Sequence, residues 1–116
     1  MISREQAALE EVTRINGVRS AILVSADDGL VVAEAALEDQ ATEPAAAFAA
    51  RLAGRLGILT GAMAAPPMSV LLLQAALGQL FVVVGNPGLL LVAVTNNDVN
   101  IGEVRLALLD VAGRLH

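Results

Sequence analysis

Between Arg55 and Asp98 the chain carries no charged residue, and Pro66-Pro67, Ala76-Leu77-Gly78 and Asn86-Pro87-Gly88 cut this neutral tract into short apolar runs. A helix that crosses a bilayer needs roughly 20 consecutive apolar residues, so membrane insertion is not expected of these pieces. They read as three strands, Met68 to Ala75, Gln79 to Gly85 and Leu89 to Thr95, rich in Val and Leu and bounded by turn formers. A sheet with one wet face alternates apolar and polar residues. Here Val70-Leu71-Leu72-Leu73, Leu80-Phe81-Val82-Val83-Val84 and Leu89-Leu90-Leu91-Val92-Ala93-Val94 are apolar at consecutive positions, so both faces must be covered.

The covering elements are legible on either side of the tract. Ser3 followed by Gln6 fits a capping box, and Ala8, Leu9, Val12 and Ile15 recur at helical spacing until Asn16-Gly17 supplies a stop. Arg19 to Ala26 and Leu30 to Ala36 read as strands joined by the tight turn Asp27-Asp28-Gly29. Thr42 is an N-cap, with Pro44 in the first turn, for a central helix running to about Ala64. Asn100 with Glu103 caps a C-terminal helix that buries Ile101, Val104, Leu108, Val111, Ala112 and Leu115. The order is α-β-β-α-β-β-β-α, an α+β chain whose 116 residues fit one domain, 1–116. The simplest way to cover both faces puts the two terminal helices together and the central helix alone opposite.

The central helix has more than one apolar surface. Phe48, Leu52, Leu56, Leu59 and Met63 fall within roughly 80° of arc, enough to dock on a sheet. On another side Ala47, Ala50, Gly54, Gly57, Gly61 and Ala64 form a stripe of minimal side chains. Mid-helix glycine costs about 1 kcal/mol relative to alanine, and a close approach by the same helix of a second copy accounts for that cost. The other reading is that Gly57 or Gly61 ends the helix. Arg51 and Arg55 lie on a third side, as a solvated strip or as a contact for an acidic partner, with Ile58 as a neighbouring contact candidate.

Several chemistries are excluded or disfavoured. The chain has no cysteine, its single histidine is the terminal His116, and no Ser-His-Asp set can be assembled around it. Asp27-Asp28-Gly29 opens like a calcium loop, but Leu30-Val31-Val32 stand where further oxygen ligands are required. Gly85-Asn86-Pro87-Gly88 lacks the Lys-Ser/Thr of a phosphate loop. No catalytic residue, cofactor or metal is therefore expected. All seven basic residues are scattered arginines in a chain of net charge −5, against nucleic-acid binding. No secretory leader is visible at Met1-Ile2-Ser3-Arg4-Glu5, and a cytoplasmic location is expected. High apolar content with few charges points to surface hidden against another chain, hence a homodimer.

The element order at this length resembles the Roadblock / dynein-light-chain domain. The residues carrying the resemblance are Ile15 to Ala21 leading into the first strand, Ser25 to Val32 across the hairpin, and Asn100 to Arg105 opening the last helix. It implies a three-layer, profilin-like or longin-like architecture with strand order 2-1-5-4-3, the central helix on one face and the terminal helices on the other. It also implies dimerisation through the central helix and the third strand, adding Val70 and Leu72 to the interface candidates. Prokaryotic members resemble gliding-motility regulators that bind a small Ras-like GTPase, so the implied function is a non-enzymatic GTPase regulator or adaptor, activating or passive. A purely structural scaffold is the alternative, and a small-molecule sensor ranks last. The chain stops directly after the last helix, so no role that needs a C-terminal tail is expected.

Overall fold

A computed structural model of the chain describes residues 3–25, 30–36, 51, 55, 70–76, 78–84 and 89–114. Five strands, β1 (Val18–Ser25), β2 (Val31–Ala36), β3 (Val70–Ala75), β4 (Gly78–Val84) and β5 (Leu89–Thr95), form one antiparallel sheet in the order β2-β1-β5-β4-β3. Two helices are described, an N-terminal one over Arg4–Thr13 and a C-terminal one over Ile101–Arg114. The central helix expected from Thr42 to about Ala64 lies outside the described residues, apart from Arg51 and Arg55, which are both helical.

The apolar runs do what their lack of alternation requires. Ala21 and Leu23 of β1, Phe81 and Val83 of β4, and Leu91 and Ala93 of β5 face the terminal helices, where Leu9, Val12, Val104, Leu108 and Val111 close over them. The intervening Ile22, Val24, Val82, Leu90 and Val92 form a second buried cluster on the other face. The terminal helices cannot supply that burial, since they pack on the first face. Both sides of the sheet's centre, at β1, β5 and β4, are thus removed from water, as the apolar runs demand.

The N-terminal helix is capped at Ser3, whose hydroxyl accepts from the Gln6 backbone N–H at 3.1 Å. Its reciprocal partner is spent elsewhere, because the Gln6 side-chain amide donates to the Glu34 carbonyl of β2 at 2.8 Å. The helix stops at Thr13, before the expected Asn16-Gly17 signal. Gly17 serves another purpose: it has φ 97°, and a Cβ there would lie 3.1 Å from Val99 Cβ and Cγ2. It turns the chain into β1 and lets Val99 seat against it, while its carbonyl accepts from Asn96 N–H at 2.8 Å.

At the other end Asn100 caps as expected, its Oδ1 accepting from Glu103 N–H at 3.0 Å. Val104, Leu108 and Val111 are buried and Ala112 half-buried, but Ile101 is exposed. Ile101 falls roughly 50° from the centre of the buried stripe at the first helical position, where the sheet gives it little to pack on. Leu115 lies outside the described residues.

Gly17→Ala should destabilise the fold by about 1–3 kcal/mol, through left-handed backbone strain and the Val99 contact together. Urea denaturation checks this. Adding Val99→Ala removes only the Cγ2 contact, so the Cβ contact and the backbone strain should persist and the double variant should not recover wild-type stability.

Candidate functional site

A fold whose interior is filled by Val, Leu and Ala leaves its chemistry to edges and outer faces. Of the expected partner-binding residues, Arg51 and Arg55 are exposed and lie on helical backbone. Ile58 lies outside the described residues, as do Ala47, Ala50, Gly54, Gly57, Gly61 and Ala64.

The two described interface candidates, Val70 and Leu72, are half-buried on β3 and pack towards the cluster under the terminal helices. β3 is an edge of the sheet, bonded to β4 on one side only. Contact between copies through this edge would run along the backbone and is independent of which face the two side chains occupy. The face opposite Val70 and Leu72 carries something the sequence reading passed over. There Leu71 and Leu80 are half-buried and Leu73 and Val84 exposed, a fringe of four large apolar side chains beside the buried cluster. Its signal was present in the register, since Leu71 lies opposite Val82, Leu73 opposite Leu80 and Leu90 opposite Val84.

Among the described residues, charge lies on the helices and turns and, within the sheet, at Arg19 of β1 and Glu34 of β2. Arg114 donates through one guanidinium nitrogen to both carboxylate oxygens of Glu11 at 3.1 Å, and lies 3.1 Å from Asp110. The hydrogen bond to Glu11 raises the Arg114 pKa above its usual value, reinforced by the nearby carboxylate charges. The arrangement ties the two terminal helices at their outer surface. At the far end of the sheet the Gln79 amide reaches the Asn97 carbonyl at 3.4 Å, while its own oxygen is buried without a partner.

No group of three or more His, Cys, Asp or Glu that could hold a metal occurs among the described residues, and none of their helices is long and apolar enough to cross a membrane. The N-terminus of the C-terminal helix is already occupied by Asn100 and faces the charge of Glu103, which disfavours an anion there.

The sequence matches the Roadblock/LC7 domain family over residues 5–95. The chain belongs to this family. No curated protein matches it. Among solved structures, Myxococcus xanthus MglB superposes with TM-score 0.89 at 18% identity, covering 98% of this chain and 93% of that one. The gliding protein MglB from Thermus thermophilus gives 0.86 at 21% identity, with 99% and 90% covered. A structure described as MglB with tetrameric arrangement gives 0.87 at 22% identity, also with 99% and 90% covered. At these identities the likeness establishes the fold, and the order β2-β1-β5-β4-β3 that the resemblance implied is the order observed in this Roadblock/LC7 domain.

Arg114→Ala should cause only a small loss of stability in the Roadblock/LC7 domain, since the ion pairs are solvent-exposed and screened. Thermal melts should show a slightly lower midpoint at low salt, with the difference from wild type closing in concentrated sodium chloride.

Proposed function

We propose that this chain is a non-enzymatic, self-associating platform for a small Ras-like GTPase in the cytoplasm. The observation that carries the reading is family membership over residues 5–95, since the resemblance implies GTPase regulation for prokaryotic members. Three features support it. Among the described residues the interior is packed mainly with apolar side chains. The β3 edge and the fringe at Leu71, Leu73, Leu80 and Val84 place apolar surface where a second copy would continue the sheet. Arg51 and Arg55 present positive charge from exposed positions on helical backbone.

The platform acts by holding its partner. Phosphoryl transfer depends on positioning and charge stabilisation within the GTPase, and a bound platform can influence both without supplying a nucleophile. An arginine inserted into a nucleotide pocket is worth about 10³ to 10⁵ in rate, but such a residue normally projects from a loop. Arg51 and Arg55 sit within a helix and are suited to holding a partner by charge.

Self-association comes first among the tests. Light scattering at micromolar concentration should return the mass of two chains for the wild type. Gly57→Leu, which enlarges a position in the small-residue stripe, should shift that mass towards one chain. A wild-type monomer would overturn the platform reading.

With a Ras-like GTPase that the wild type binds, Arg51→Ala combined with Arg55→Ala should weaken association and leave the single-turnover hydrolysis rate at saturating protein largely intact. A collapse of the saturated rate at unchanged affinity would mean that the arginines act chemically. Absence of binding by the wild type to any Ras-like GTPase would favour the structural-scaffold alternative.

A further inference from the structure

The two edges of this sheet are finished differently. β3 carries no charge from Val70 to Ala75 and pairs with β4 without a break in register, from Val70 opposite Val83 to Ala75 opposite Gly78. β2 is interrupted in three ways. Its pairing with β1 passes from Ala33 opposite Leu23 to Val31 opposite Val24, so that Val32 is an extra residue in a bulge. Glu34 sets an exposed carboxylate on the strand, and the Glu34 carbonyl is occupied by the Gln6 side chain at 2.8 Å. Bulges, charges and covering side chains are each means by which natural sheets prevent further strands from adding.

We propose that Gln6, Glu34 and the bulge at Val32 act together as a stop at the β2 edge, confining sheet growth to β3 so that copies of this chain close into pairs and do not polymerise. The strand excluded is one from a second copy. Leu30 and Val32 are 65% and 55% exposed, and with Val31 and Ala33 they make a short apolar, partly β-branched segment of the kind that adds to open edges. The need for a stop follows from symmetry. Pairing of β3 with β3 about a two-fold axis is used up by a single contact, but it leaves a β2 at each end of the joined sheet. Were those ends competent, every pair could add another.

Gln6 is well placed for this task. Ala8 and Leu9 of the same helix are buried against the sheet, so the helix holds the amide at a fixed height over β2. The amide is available because the helix forms only the Ser3 half of its capping box.

The stop rests on the proposed pairing through β3 only for the size of the closed unit, and sedimentation velocity from micromolar to near-millimolar protein separates the two ideas. Wild type should keep one mass across the range. Gln6→Ala combined with Glu34→Val should remain folded by circular dichroism and gain weight-average mass with concentration by about twofold or more, the step from one closed unit to two. Gln6→Met keeps the bulk of the side chain without its donor, and should show the same trend more weakly. Leu73→Lys, which charges the opposite edge, should lower the mass of wild type and leave β2 guarded. A monomeric wild type would defeat the β3 reading alone, with the β2 stop still read from any gain in the variants. Folded variants whose mass equals that of wild type at every concentration would overturn the proposal. Should the double variant fail to fold, Gln6→Met decides in the same way.

Discussion

The fold depends on sealing β1, β5 and β4 from water on both faces at once. Phe81, Val82 and Val83 are consecutive and all buried, as are Leu90, Leu91, Val92 and Ala93. Side chains in a strand alternate between faces, so such runs remain favourable only when apolar cover exists on each side. The terminal helices meet this on one face with Leu9, Val12, Val104, Leu108 and Val111. Where cover thins towards β3, side chains of the same type become half-buried or exposed, as at Leu71, Leu73, Leu80 and Val84. The proposed contact surface and the core are therefore products of one composition, differing only in how far the cover extends.

The strands were legible because Val and Leu runs punctuated by Asn, Pro and Gly leave few other solutions, and their observed limits depart only slightly from those the runs predict. Strand order was not legible from the residues, since a local pattern does not say which strand will lie beside which; it came from the family resemblance. The end of the N-terminal helix was misread for a physical reason. Gly17 looks like a helix stop, whereas its left-handed backbone serves the entry to β1 and the seat of Val99. Gln6 was half misread, because a capping motif cannot reveal that a carbonyl from a distant strand competes for the same amide. Ile101 shares the periodicity of the buried stripe but sits at its flank and its first position, where the helical pattern alone overestimates burial.

At the candidate site, Arg51 and Arg55 are exposed on helical backbone. What such a pair binds is not encoded in its spacing, because two arginines suit many acidic surfaces. Leu73 and Val84 were overlooked for the converse reason. In a sequence apolar at every position, nothing distinguishes residues under cover from those beyond its margin until strand register assigns faces.

The placement of β5 between β1 and β4 has a consequence for how the chain comes together. β1 and β2 are made early, yet the inner neighbour of β1 is β5, the fifth of the described strands, and β4 waits for that same strand. On a ribosome the first hairpin therefore persists with one long side unpaired until β5 has emerged. Long-range pairings of this kind delay productive closure and prolong the interval in which apolar strands can meet the wrong neighbour. Insertion of β5 is the step that joins the two hairpins into one sheet, and sequence changes that retard it should show first in the yield of native protein, before any change in the native state.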